Sequence, residues 1–255
     1  MIRLVPLDVD YKYLNRIDSY LNKLLWFSAG LSLLVFAIDF FHLLPTYNEF
    51  LQTTLNSIIS ILALGYFVLD LVFNYSFQES ERKRRKDFID NSLGTTLAEE
   101  NSVGYFSNDR TSVGVIKMGV NCFENSLFTK TVSSKMLTPM FIKMCAVILV
   151  FLCLALFTNN KTLTTVLQLA LPLTIIQQAF KLYFFKKKID KIFEDFNLIF
   201  SATSGNNRDN LIIDNVINYE STLAWGTVLL DSKYFNEVNP ALSQKWESMK
   251  LRLNL

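Results

Sequence analysis

One histidine and three cysteines occur in 255 residues. His42 stands alone, and Cys122, Cys145 and Cys153 form no CxxC or Cys/His spacing. A zinc site or a cysteine–histidine nucleophile pair therefore has almost no material, and the cysteines read as apolar packing residues. GxSxG, P-loop, HExxH and GxGxxG motifs are also missing. Neighbouring carboxylates such as Glu99–Glu100 and Glu194–Asp195 would diverge by about 100° on a helix and make poor catalytic dyads. These gaps exclude the common hydrolase, transferase and metalloenzyme designs, so the chain reads as a non-enzyme without a cofactor. A cleavable leader is not expected, since the first 23 residues are polar and mixed. With a net charge of +2, bulk charge marks neither a basic nucleic-acid binder nor an acidic tail.

What the chain has instead is apolar residues in blocks. They make up 51% of the sequence, with 22 phenylalanines, more than a soluble core of this size needs. Four stretches stand out, near Leu24–Leu44, Leu51–Phe73, Met140–Phe157 and Thr162–Leu182. The first, about 21 residues, makes some 31 Å of helix at 1.5 Å per residue, enough to cross the hydrocarbon. Trp26 suits an interfacial anchor, and Pro45 ends the span. The two short links, PTYNEF and TNNK, hold almost no cation, whereas segment 75–137 holds Arg82, Lys83, Arg84, Arg85, Lys86 and three more lysines besides Arg110. Lys181 and Lys186–Lys188 follow the fourth stretch. The positive-inside rule then gives four transmembrane helices in two hairpins, with both termini inside. The expected class is an all-α multi-pass membrane protein. Its segments are 1–23 (cytoplasmic helix), 24–74 (hairpin 1), 75–137 (cytoplasmic), 138–182 (hairpin 2) and 183–255 (cytoplasmic). The hairpins do not resemble each other, which speaks against an inverted-repeat transporter.

Patterning predicts further helices. Tyr13, Ile17 and Leu21 recur at helical spacing after a short extended start. A helix from about Ser80 to Leu97 should continue the second span, and another, about Thr111–Lys135, should lead back to Pro139. Ile189, Ile192, Phe193, Phe196 and Ile199 share a face. The polar run SATSGNNRDN should break that helix, followed by an amphipathic helix near Asn210–Leu230 and a tail through Trp246.

Polar groups within the spans are the candidate path. Asp39 and His42 lie three apart, Asp70 and Asn74 four apart, and Asn56 and Ser60 share a face, with Gln168 between Thr165 and Pro172 in the fourth span. Asn56, Ser60, Asp70, Asn74 and Gln168 are thus candidate pore or gate residues. The competing reading hydrates the span ends and lets Ser, Thr and Gln bridge helices. Likewise the run Glu81–Lys86 fits topology and anionic lipid, or a phosphate-rich ligand held by Arg82, Lys83, Arg84, Arg85 and Lys86 together with Arg110. Tyr105 and Phe106 could stack a base or sit in a core.

Asp90-Asn91-Ser92-Leu93-Gly94-Thr95, Glu100-Asn101 with Gly104-Tyr105, and the stretch Trp225 to Trp246 carry a resemblance. With the four apolar stretches, the chain resembles the four-transmembrane pore-forming effectors associated with SMODS-type nucleotidyltransferases in bacterial anti-phage defence. The Hailong system, in which DNA oligomers control a membrane channel, is similar. The resemblance implies an inner-membrane homo-oligomer in the lipid bilayer, controlled by a nucleotide or a DNA or RNA oligomer from a partner enzyme, that depolarises the infected cell. A non-conducting scaffold that recruits a cytosolic partner, and a small transporter, are the alternatives.

Overall fold

The computed structural model describes residues 7–41, 45–102, 104–106, 108–157, 162–203 and 205–255, and the side-chain description excludes positions 8, 151, 153–157, 162–172 and 206. The expected extended start, His42 and the TNNK link lie outside the described residues. The rest is all-helical, 86% helix, with no strand among the described residues. Six helices follow in order: α1 (Asp8–Phe40), α2 (Asn48–Leu93), α3 (Val115–Phe157), α4 (Thr162–Ala202), α5 (Asn206–Gly226) and α6 (Ser232–Leu253). A short 3-10 turn, Pro45–Tyr47, precedes α2.

Two compact units share these helices. One comprises Leu14–Tyr75 and Thr138–Phe180, the other Met1–Tyr13, Ser76–Leu137 and Lys181–Leu255. In the first unit burial runs along narrow seams. On α1, Leu14, Ile17, Leu21, Leu25, Ser28, Ser32, Val35 and Ile38 are buried, a three-and-four spacing with two small serines that permit close helix approach. On α2, Ile59, Tyr66 and Phe73 are buried at intervals of seven. Large apolar side chains elsewhere on α2, among them Ile61, Leu64 and Phe67, are more than half exposed. Apolar surface exposed on this scale is suited to lipid rather than water. Among the described residues three helices, Val9–Phe40, Pro45–Leu93 and Val115–Val150, are long and apolar enough to cross a membrane, and the apolar window of the second is only 11% buried. Hydroxyls on α2 turn back on their own helix: those of Thr53, Ser57 and Ser60 donate to the carbonyls of Glu49, Thr53 and Asn56. Such groups tolerate an apolar setting because their hydrogen bonds are made locally.

The second unit has an aromatic core with a large polar content. Phe123 lies at its centre, 5.2–5.8 Å between ring centroids from Phe193, Phe196, Phe200 and Trp246. Trp246 belongs to α6, so the expected tail is a helix that inserts into the core. Val238, Leu242, Trp246 and Met249 are its buried face, and Asp231 caps it by accepting from the Lys233 N–H at 2.7 Å.

Three boundaries differ from the sequence expectation. The helix expected to reach Leu97 stops at Leu93, where Gly94 takes φ +72 and donates to the Asp90 carbonyl, an αL stop that glycine makes without strain. Its successor starts at Val115 rather than Thr111, after Gly114 at φ +144, and continues unbroken past Pro139. The next helix is Asn206–Gly226, ended by Thr227 in the αL conformation, four residues earlier than expected. Glu99 and Glu100, expected on a helix face, lie in the loop after α2.

Close packing across this unit depends on Gly119. A Cβ there would lie 2.7 Å from Ile212 Cγ2 and 3.0 Å from Phe200 Cζ. Gly119→Ala should therefore cost about 1–3 kcal/mol by overpacking. Gly65→Ala, with nothing within 4 Å of the new methyl, should cost nothing. Denaturant unfolding of both variants by circular dichroism checks the contrast.

Candidate functional site

The basic run at residues 82–86 lies on the last turns of α2, in the second unit. Phe77, Ser80, Glu81, Arg84, Asp87 and Phe88 form the buried face of that segment at helical spacing. Arg84 is therefore interior. Its Nε donates to Glu81 Oε2 at 2.8 Å and its Nη2 to Glu220 Oε2 of α5 at 2.6 Å. Arg85 Nε also reaches Glu220 Oε2, at 3.3 Å. Tyr11 of α1 donates its hydroxyl to Glu81 Oε1 at 2.6 Å. One guanidinium thus holds α1, α2 and α5 together through two carboxylates. Desolvation works against the Arg84 charge, but Glu220 and then Glu81 outweigh it and raise the guanidinium pKa well above its ordinary value. Burial, with Glu81 adding to it, pushes the Tyr11 hydroxyl up. Burial also raises the Cys122 thiol, with Glu220 adding, so that cysteine stays protonated and unreactive.

The other cations of the run are spent differently. Arg82 is exposed and pairs with Glu79, and Lys83 is exposed and pairs with Asp10 of α1. Lys86 is half-buried beside Asp90, and Arg110 is exposed in the loop before α3. Arg82, Lys83, Arg84 and Arg85 all face carboxylates, which leaves little unbalanced positive charge there for a phosphate.

The motif Asp90-Asn91-Ser92 has a structural part. Both Asp90 carboxylate oxygens accept from the Leu97 N–H at 2.7 and 2.8 Å. One accepts from the Thr95 hydroxyl at 2.6 Å and the other from the Ala98 N–H at 2.7 Å. Asp87 accepts from the Ser102 N–H at 3.0 Å. Asn121 of α3 donates to Asn91 and Ser92, while Asn108 donates to Asn121 and Glu124 and accepts from the Trp246 indole at 3.2 Å. The loop 94–114 is fastened over the helices by these bonds, because an interior loop must pair its backbone and side-chain polar groups. Tyr105 and Phe106 are buried, stacked edge-to-face at 4.7 Å. They belong to the core and are not free to stack a base.

The candidate path residues lie in the first unit. Asn74 Nδ2 donates to the Asp70 carbonyl at 2.8 Å and to Asp70 Oδ2 at 3.0 Å. Asn22 makes the same pair with Asp18 on α1. Asn56 and Ser60 are one turn apart on the same helix. Asp39 accepts from Gln52 at 2.8 Å, tying the end of α1 to the start of α2. Gln178 donates to the Tyr66 hydroxyl at 3.3 Å. The Gln168 side chain lies outside the described residues. Among the described residues no group of three His, Cys, Asp or Glu side chains could hold a metal ion.

Sequence reasoning missed a groove between α4 and α5. Lys181, Lys188, Lys191 and Trp225 line it. The spacing of seven and three between those lysines was the available signal, masked by their place in a run read as topological.

Two consequences are measurable. Arg84→Met leaves buried Glu81 without its counter-ion and Glu220 with only Arg85 at 3.3 Å, and should cost about 3–5 kcal/mol. Adding Glu220→Gln should recover part of that loss, seen as a coupling in a double-mutant cycle of unfolding free energies. At Asp90, burial works to raise the carboxyl pKa. Donation from Thr95, Ala98 and Leu97 and the charge of Lys86 outweigh it and hold the pKa below the ordinary value. Its stabilising contribution is complete above the ordinary carboxylate range and fades as pH falls through the lower folded-state value. Asp90→Asn should lower the melting temperature at pH 7 and shrink the difference from the parent chain as pH falls below about 4.

No family model, curated protein or solved structure matches this chain.

Proposed function

We propose that the chain is the subunit of a homo-oligomeric, ligand-controlled pore in a bacterial inner membrane, acting as a non-enzymatic defence effector. Its controlling ligand is a nucleotide or a DNA or RNA oligomer made by a partner nucleotidyltransferase. The observation that carries the reading is the polar stripe on α2. At about 100° per residue, Asn56, Ser60, Asp70 and Asn74 fall within an arc of about 80°, on a helix whose apolar window is mostly unburied. Polar and ionisable groups along one side of a spanning helix are costly against lipid and are accommodated at a protein interface or a water path. Four spans with both termini inside enclose no path by themselves, so the stripes of neighbouring copies must converge about a symmetry axis. Ligand control then requires that the ligand bind the open and closed assemblies with different affinity.

Ion flux from liposomes holding the purified chain tests this reading. Flux that rises or falls when nucleotide or short single-stranded DNA is added is the expected result. Asp70→Asn should alter cation over anion preference while leaving ligand dependence in place. No flux under any condition from folded protein would overturn the pore and leave a membrane scaffold.

A further inference from the structure

α4 and α5 enclose a groove of about 570 Å³, within the range of about 300–1,000 Å³ typical of small-ligand sites. Buried Phe185 and Ile192 line it from α4. Two contacts set its direction. A Cβ on Gly226 would lie 2.6 Å from the Phe185 ring, and Asn215 Nδ2 donates to the Ile192 carbonyl at 2.9 Å. α5 therefore runs antiparallel to α4, with its C-terminal end beside Phe185 and its middle beside Ile192.

That arrangement gives the groove two unlike ends. Toward the end of α5 stand Lys181, which donates to the Thr227 hydroxyl, and Lys188, with the Phe184 ring and the Trp225 indole. Trp225 is 87% exposed, and among the described residues no ring, ion or hydrogen-bond contact involves it. Toward the middle of α5 stand Asp195 and Asp214, with Lys191 one turn before Asp195. Lys188 and Lys191 are exposed and within ion-pair distance of no carboxylate among the described residues, unlike Arg82–Arg85 of α2. The unspent ammonium groups of Lys188 and Lys191 and the bare Trp225 indole suit a phosphate and the flat or apolar body that carries it. Carboxylates at the other end accept hydrogen bonds from hydroxyl or amino groups.

We infer that the α4–α5 groove is a binding site for a phosphate ester. Lys188 and Lys191 take the phosphate, Trp225 covers the attached body, and Asp195 and Asp214 accept from its hydroxyl or amino donors. A free nucleotide and a phospholipid headgroup both present this chemistry. The effect of binding on the pore rests on the reading proposed above, whereas occupancy of the groove does not.

The test uses the full chain in nanodiscs of neutral phosphatidylcholine, followed by tryptophan fluorescence. ATP, a deoxythymidine tetranucleotide and pyrophosphate are the free probes, and discs doped with phosphatidylglycerol carry the lipid probe. The expected result is a saturable fluorescence change with at least one probe, lost in Trp225→Phe. The apparent affinity should fall about tenfold or more in the double variant Lys188→Gln, Lys191→Gln, whose exposed side chains leave thermal unfolding unchanged. A response to free probe in neutral discs assigns a soluble ligand, and a response only to phosphatidylglycerol assigns the headgroup. No response to any probe, or an equal response in the double variant, overturns the site. If ligand still controls flux in the double variant, the groove inference fails and the pore reading stands.

Discussion

Burial of the Arg84 charge is the constraint on which the second unit depends. A guanidinium removed from water costs several kcal/mol unless carboxylates and hydrogen bonds replace its hydration. Glu81 supplies one carboxylate from the same helix, and Glu220 supplies the other from 136 residues away. The pairing specifies which face of α2 turns inward and where α5 must lie. Tyr11 extends the network to the first helix. An all-apolar interior would pack as densely but would fix the register of these helices less strictly, since hydrophobic contact is non-directional.

Around that charge the unit is fastened by groups that sequence alone does not distinguish from polar residues left in water. Asp90, Asn108 and Asn121 are buried and hydrogen-bonded. They hold a long loop against helices whose remaining interior is aromatic. The first unit follows the opposite rule. Its seams are narrow, the hydroxyls of Ser32, Thr53, Thr54, Ser57 and Ser60 turn back on their own backbone, and much of its outward surface is apolar. A single continuous helix such as α2 takes part in both regimes, apolar before Tyr75 and polar after it.

Much of the helical architecture was legible because hydropathy is local. The apolar stretches, the α4 face with Ile189, Ile192, Phe196 and Ile199, and the glycines near the loop all carry their signal within a few residues. What was not legible depends on distant partners. Nothing in ERKRRK says that Arg84 points inward to Glu220 while Arg82 stays in water. The period of Val238, Leu242, Trp246 and Met249 was present in a segment read as a tail, and its weight shows only once Phe123 is seen beneath Trp246. The groove was hidden for a related reason. Lys188 reads as one of three adjacent cations until α5 brings Trp225 to the same cleft.

We propose that the unit built around Arg84, with its C-terminal helix α6, lies on the cytoplasmic side of a four-span chain. Single cysteines placed at Tyr47, Asp109 and Ser248, in a background lacking Cys122, Cys145 and Cys153, test it most directly. The measurement is labelling of intact spheroplasts with a membrane-impermeant maleimide, before and after permeabilisation. In that topology position 47 labels at once and positions 109 and 248 label only after permeabilisation. Immediate labelling at 248, the result for a three-span chain, would contradict it.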